Sequence, residues 1–198
     1  MPHRARARLA SRFPVLITVK LMKGLPRLRR AAPRQTLKSA FLKGCEYHGF
    51  RMTHYSIQDD HLHFIVEAKD RSTLSRGMQG LLIRVAKGLN RLWGRKGKVF
   101  RTRYHDRILR SGREVRNAIV YVLRNAWKHG KALNELVDRF ASGLWFGGWK
   151  RRGRGQGADG FEDAPVALPR TWLLRKGWRR LGLIGDQDQP RRRRPAGA

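Results

Sequence analysis

Hydrophobic and polar residues alternate along the stretch QDDHLHFIVEA, residues 58–68. Because successive side chains of a β-strand point to opposite faces of the sheet, Leu62 and Phe64 share one face, whereas His61 and His63 share the other. The apolar set predicts a strand with one face in the core. The opposite face carries two imidazole rings side by side. They are either ordinary half-buried strand histidines or a pair of nitrogen ligands for a metal ion.

The hydrophobic pattern along the rest of the chain predicts an alternation of strands and helices. Strands are expected at residues 14–22, 51–58, 61–68 and 98–109, and helices at residues 34–50, 72–94 and 112–130, the first helix ending at Gly49 and the third at Gly130. The order of the first six elements, β-α-β-β-α-β, is that of the ferredoxin-like fold, an α+β fold with an antiparallel sheet. Its helices cover one sheet face, so the other face stays open for a ligand or for the third helix.

Two aspartates at positions 59 and 60 predict a two-residue hairpin loop between the second and third strands. In that register Ser56 lies opposite His63, and Gln58 and His54 share the same sheet face. The histidine pair would therefore lie in a polar patch of an otherwise apolar sheet, where a metal ion held by two imidazoles would need a third ligand.

The charge of the chain indicates a polyanionic partner. The 198 residues include 45 Lys+Arg and 14 Asp+Glu, for a net charge of +31, which favours nucleic acid. From residue 139 onward the sequence is rich in Gly, Arg and Trp. We therefore expect one domain at residues 1–138 and a basic extension at residues 139–198, with a linker at residues 151–164. The tryptophans of the extension would either stack on unpaired bases or pack the extension onto the main domain.

The chain contains no stretch approaching the roughly 20 apolar residues that span a bilayer. Cys45 is the single cysteine, so no intrachain disulfide and no cysteine zinc cluster can form. This cysteine usage fits a reducing cytoplasm.

Tyr121 lies away from the apolar stripe of the third predicted helix. At 100° per residue that stripe contains Val115 and Ile119, whereas Tyr121 projects together with Asn125, four residues later. One reading is a surface tyrosine that covers Lys or Arg stems. The other is a nucleophile with an amide ligand one turn away. A phenol with a pKa of about 10 attacks poorly unless a cation or a base assists it.

These residues carry a family resemblance. His61-Leu62-His63 resembles the His-hydrophobe-His motif of the HUH endonucleases, and Tyr121 with Asn125 is similar to the catalytic tyrosine of the single-tyrosine transposases and its polar neighbour. The stretch GKVFRTRYHDRIL, residues 97–109, also resembles this family. From about residue 14 to residue 130, the chain is identified as a member of the REP-associated tyrosine transposases.

The resemblance implies a metal-dependent enzyme that cuts and transfers single-stranded DNA beside a hairpin. It makes Tyr121 the nucleophile of a 5′-phosphotyrosine intermediate and His61, His63 and Asn125 the ligands of Mg or Mn. It leaves open a monomer or a homodimer. Many insertion-sequence members have Gln where Asn125 stands, so Gln58 or His54 could be the third ligand instead. Basic residues near the tyrosine are expected to contact DNA phosphates: Arg101, Arg103, Arg107 and Arg124.

Two alternatives remain at this point. The first is a nucleic-acid-binding module with an RRM-like sheet and no catalysis, although KVFRTRYH, residues 98–105, lacks the glycines and aromatic spacing of that motif. The second is a former transposase that only binds hairpins. Intact catalytic residues indicate a capability and do not separate an active transposase from a former one.

Overall fold

The protein is described here by a computed structural model, which covers residues 8–128, 137–150, 164–185 and 187–190. Its centre is a sheet with strand order β2-β3-β4-β1-β5, in which all paired strands are antiparallel. The strands are β1 Val15–Lys20, β2 Glu46–Tyr47, β3 Phe50–Ile57, β4 His61–Ala68 and β5 His105–Ile108. Without the short β2, this is the strand order of the ferredoxin-like fold, so the predicted α+β fold is confirmed.

The helices lie on both faces of the sheet. They are α1 Ala31–Leu42, α2 Arg71–Leu92, α3 Gly112–Leu123, α4 Asn125–Lys128 and α5 Trp172–Arg175, with 3-10 turns at Ser142–Trp145 and Gly177–Leu181. Leu62 and Phe64 share one hydrophobic cluster with α1 and α2, whereas Ile65 packs against α3 on the opposite face. In the described part of the chain, no helix is long and apolar enough to cross a membrane.

The predicted helix at residues 34–50 was wrong at its C-terminal end. Helix α1 ends at Leu42, and residues 46–47 instead form β2, which pairs with the start of β3. Gly49 does not end a helix: with φ +84° it forms the turn between β2 and β3 together with His48, at φ 36°. A left-handed backbone conformation is costly for most residues but not for glycine, so Gly49 itself favours a turn at this position.

Two other predicted elements are shorter than expected. The strand predicted at residues 98–109 is confined to His105–Ile108, because bends at residues 101–103 separate this strand from an isolated bridge between Phe100 and Leu21. The helix predicted at residues 112–130 ends at Leu123, and α4 follows after Arg124. Its predicted end at Gly130 lies outside the described residues.

The C-terminal extension packs onto the same domain. It covers the exposed edge of β3: the N–H of Ile57 donates to the Phe140 carbonyl (2.7 Å), and the N–H of Ala167 donates to the Met52 carbonyl (2.8 Å). Trp149 and Trp178 are buried in the cluster that contains α3. The predicted division at residue 138 therefore separates two stretches of sequence that share one hydrophobic cluster. The predicted linker lies mostly outside the described residues.

Gly77 allows α2 to pack closely on β3. A Cβ atom at this position would overlap the ring of Phe50, which is itself buried. We therefore expect Gly77→Ala to destabilise the fold by about 1–3 kcal/mol, although alanine is the better helix former. The matched control is Gly80→Ala in the same helix, where a Cβ would meet only the guanidinium of Arg84 at 3.2 Å. Urea unfolding of both variants tests this, and a stabilised Gly77→Ala would contradict it.

Candidate active site

The histidine pair lies at the start of β4, in the register that the Asp59-Asp60 loop predicts. Ser56 is opposite His63, and His54 is opposite Ile65. A bulge at residue 53 shifts the register only beyond this point. The two imidazole rings have centroids 4.7 Å apart at an interplanar angle of 81°. The predicted polar patch on the sheet face therefore exists, and the two rings lie side by side on it.

His63 contacts two hydroxyl groups, one through each ring nitrogen. Its Nδ1 lies 3.0 Å from Thr18 Oγ1 on the neighbouring strand β1, and its Nε2 lies 3.2 Å from the Tyr121 hydroxyl. The His63 and Tyr121 rings meet edge to face, with centroids 4.8 Å apart. For Nε2 to accept a proton or bind a cation, Nδ1 must carry the hydrogen and donate it to Thr18.

His61 is oriented by a carboxylate. Its Nδ1 lies 2.7 Å from Oδ1 of Asp60 in the hairpin loop. The hydrogen bond with His61 is the main reason why the pKa of Asp60 is below its usual value. With Nδ1 occupied by Asp60, the electron pair that could bind a metal is on Nε2. Carboxylate–imidazole pairs of this kind orient metal-binding histidines in many proteins.

Tyr121 reaches the histidines from helix α3, which crosses their face of the sheet. The stripe predicted for this helix is buried, including Val115 and Ile119, and it packs on Ile65. Tyr121 itself is half-buried beside that stripe. Burial raises the pKa of its phenol, an effect that the nearby Asn125 side chain opposes. The neutral phenol is therefore favoured, and a nucleophilic role requires help from a base or a cation.

The side chain of Asn125, one helical turn after Tyr121, is buried with little hydrogen bonding. It is 1% exposed, and neither its amide nitrogen nor its oxygen makes a hydrogen bond of normal geometry to the described residues. Its side chain lies near the phenol of Tyr121, where it opposes the rise in pKa that burial causes. A buried amide without good partners costs about 1–3 kcal/mol, which suggests a partner such as a ligand or ion at this position.

Gln58 and His54 differ as alternative ligands. Gln58 is buried beside the pair, and its amide nitrogen donates to Ser56 Oγ at 2.6 Å, which leaves its carbonyl oxygen for other contacts. His54 instead packs edge to face against Phe146 of the C-terminal extension, with ring centroids 5.5 Å apart. The structure thus favours Gln58 over His54 as an additional donor near the pair.

The burial of His54 predicts a pH-dependent stability. Burial lowers the pKa of this imidazole from 6.5 to about 4. Between these values the unfolded state binds more protons than the folded state, so stability falls as the pH falls from 6.5 to 4. The full effect is about 3 kcal/mol. In urea unfolding at pH 7 and pH 4.5, His54→Leu should lose less stability on acidification than the wild-type chain. Equal losses would show that His54 does not carry the effect.

The arginines predicted to contact DNA divide into two groups. Arg101, Arg103 and Arg107 are exposed on or before β5 and remain candidates for phosphate contacts. Arg124 is 1% exposed, and its guanidinium donates to the carbonyl of Gly185. The prediction for Arg124 was wrong, because the C-terminal extension covers this side chain and uses it to hold the chain near residue 185.

Glu67, on the same sheet face, binds the extension rather than an arginine side chain. Its carboxylate accepts the backbone N–H groups of Arg170 and Thr171 at 2.7–3.1 Å. Glu67 thus fixes the start of α5 in the extension to the sheet face that carries the histidines.

Sequence reasoning missed Thr18 and Asp60 as members of the group. In VLITVK, residues 15–20, alternation alone indicates that Thr18 and Lys20 point away from the core. That signal does not say which strand lies next to β1. The pairing of Thr18 with His63 follows only from the sheet topology.

The fold and this group of side chains together define a class of protein. It is a ferredoxin-like α+β domain whose second sheet face carries a histidine pair beneath a helix-borne tyrosine. The family model described as "Transposase IS200 like" matches residues 26–125, about half of the chain, and the chain belongs to this family. It is thus a transposase by family, acting on DNA.

Two solved structures are similar to this one. The structure of a REP-associated tyrosine transposase bound to a REP hairpin has a TM-score of 0.58 and 18% sequence identity, and the match covers 72% of this chain and 82% of that chain. A bacterial tRNA(His) guanylyltransferase-like protein in complex with ATP has a TM-score of 0.41 and 17% identity, with 63% and 62% covered. The first match supports the fold. No curated protein matches the chain.

Proposed function

We propose that the protein is a metal-dependent single-stranded DNA endonuclease and strand transferase that uses Tyr121 as its nucleophile. The observation that carries this proposal is the 3.2 Å distance between the Tyr121 hydroxyl and Nε2 of His63 within one chain. Both groups are also oriented by further contacts, from Thr18 and from helix α3. A tyrosine placed against a histidine pair in a family of transposases fits strand cleavage by covalent catalysis.

The cleavage step would be a transesterification at one phosphate of the DNA. The bond from Tyr121 Oη to phosphorus forms, and the bond from phosphorus to the 3′ oxygen breaks. The phenol loses its proton to Nε2 of His63 if that nitrogen holds no cation, or to solvent water if a cation occupies it, and the leaving 3′ oxygen takes up a proton from water. The products are a 5′-phosphotyrosine and a free 3′-OH. Attack by another 3′-OH on the same phosphorus would complete strand transfer: the new phosphorus–oxygen bond forms, the bond to Tyr121 Oη breaks, and the phenol regains the proton that the attacking hydroxyl loses.

The donor set around the histidines fits a divalent cation. Nε2 of His61 and of His63 would bind it, with the amide oxygen of Asn125 or Gln58 as a further ligand. Among the described residues, no three His, Cys, Asp or Glu side chains lie close enough together to hold a metal ion. A side-chain amide is therefore our candidate for the third ligand. When bound, the cation would neutralise charge on the attacked phosphate. It would also compete with the Tyr121 hydroxyl for Nε2 of His63.

DNA with an imperfect hairpin is the substrate that we propose. The similar REP-associated transposase was solved with a REP hairpin, and the two chains share their fold. The net charge of +31 further favours a polyanionic ligand.

A doubly labelled oligonucleotide tests the proposed reaction. A hairpin-bearing single strand from the DNA beside the gene would carry a different dye at each end and would be incubated with Mg²⁺ or Mn²⁺. We expect a covalent adduct on a denaturing gel that contains the 3′-labelled fragment only, because the tyrosine retains the 5′ phosphate. EDTA should prevent it. An adduct with the 5′-labelled fragment would contradict the proposed polarity, and binding without any adduct would favour a protein that only binds hairpins.

A further inference from the structure

A basic groove lies between helices α1 and α2, which cover the sheet face opposite the one that carries Tyr121. It has a volume of about 720 Å³. Its lining includes small residues such as Ala32 and Ser39 of α1 and Gly88 of α2. Gly88 allows the helices to approach closely, since a Cβ there would lie 2.9 Å from Thr36 Cγ2. The short side chains leave the groove open along the helix pair.

Four long cationic side chains line this groove. They are Lys43, Arg84, Lys87 and Arg91, and all four are exposed. The ion pairs formed among the described residues include none of them. Arg84 donates one hydrogen bond to the Gly80 carbonyl within its own helix. The groove therefore presents positive charge that the described carboxylates do not neutralise.

Neither helix of this layer contains an acidic residue. Residues 1–45 and residues 71–105 contain no Asp or Glu, and α1 and α2 fall entirely within these two stretches. The chain does contain 14 acidic residues, but all of them lie elsewhere. An outer helical surface with cations and without acids favours a polyanion, and guanidinium groups are well suited to phosphate.

The groove cannot hold the DNA segment that is cleaved. Helices α1 and α2 pack on the sheet face of Leu62 and Phe64, whereas His63 and Tyr121 lie on the opposite face. The thickness of a sheet and a helix layer separates the two sites, roughly 15 Å or more. A DNA segment in the groove must therefore lie outside the segment bound at the tyrosine.

We propose that the α1–α2 groove is a second DNA-binding surface, which binds the sugar–phosphate backbone of DNA flanking the cleaved segment. The cations reach phosphates and no base edges are required, so binding there is independent of sequence. This proposal rests on DNA as the ligand of the family and not on Tyr121 being the nucleophile. It predicts that long substrates bind more tightly than short ones through these side chains.

The test compares two double variants with the same loss of charge. Lys87→Gln/Arg91→Gln removes two groove cations, and Lys69→Gln/Arg76→Gln removes two exposed cations that do not line the groove. Binding is measured with EDTA present, so that cleavage does not contribute, at several salt concentrations. The DNA is either a minimal hairpin or the same hairpin with a long flank. Thermal unfolding establishes that both variants are folded.

With the long DNA, the groove variant should reduce the slope of log K against log salt by about 1.4 for a single-stranded flank or about 1.8 for a duplex flank, from two lost phosphate contacts. With the minimal hairpin, its affinity and slope should match those of the wild-type chain. The control variant should not show this dependence on length. An unchanged slope with the long DNA, or equal reductions in both variants, would overturn the proposal whatever the outcome of the cleavage assay.

Discussion

Replacing Tyr121 by phenylalanine is expected to abolish the covalent protein–DNA adduct, with a loss of about 10³-fold or more. The substitution removes one oxygen atom and leaves the half-buried ring in place on α3. Its structural cost is the loss of the contacts of the hydroxyl group, among them the one with Nε2 of His63, which is worth about 0.5–1.5 kcal/mol. Folding and hairpin binding should therefore survive while the adduct is lost. The measurement is the labelled adduct on a denaturing gel, alongside hairpin affinity and thermal unfolding.

Tyr55→Phe is the matched control for this experiment. Tyr55 is buried on the core face of β3, where its ring lies 4.8 Å from that of Phe41. Burial also raises the pKa of its phenol, so it is a poor nucleophile in addition to being inaccessible. Tyr55→Phe should keep the adduct. If Tyr121→Phe still forms the adduct, the nucleophile is another residue, and Tyr104 becomes the next to replace.

Replacing His63 by alanine is expected to remove both the adduct and most of the affinity for Mn²⁺. His63 is a candidate metal ligand, and its Nε2 also contacts the Tyr121 hydroxyl. Losing one of two imidazoles should weaken metal binding sharply and leave the phosphate charge poorly neutralised. We expect a loss of adduct of about 10²-fold or more. Calorimetric titration with Mn²⁺ gives a readout that does not depend on catalysis.

The substitution Thr18→Val tests whether Thr18 orients the His63 ring for metal binding without removing the ring itself. It keeps the shape of the side chain but removes the oxygen 3.0 Å from Nδ1 of His63, so the ring loses its oriented tautomer. We expect about 10–100-fold weaker metal binding with the fold unchanged. The control is His48→Asn, which removes an exposed imidazole in the β2–β3 turn and tolerates its positive φ. Mn²⁺ affinity that is unchanged in His63→Ala would exclude His63 as a ligand.

Local sequence was sufficient to predict the histidine face. The alternation in β4 and the two-residue loop before it define which side chains share a face and which residues pair across the β3–β4 hairpin, because both depend on neighbours within about ten residues. The same holds for the buried stripe of α3. Local patterns failed at the end of α1, where helix-compatible residues at 46–47 instead form β2. They also failed before β5, where residues 105–108 form a strand with β1 and residue 100 makes only an isolated bridge.

The sequence by itself determined the order of the strands and helices from β1 to α3 apart from β2, the pair His61 and His63, and the off-stripe position of Tyr121 in α3. Only the tertiary structure decided that Tyr121 contacts His63, that Thr18 supports the same ring, and that Arg124 is buried. Each of these facts depends on segments that are distant along the chain. Their approach is set by sheet order and by packing of the C-terminal extension, which no local hydrophobic period encodes.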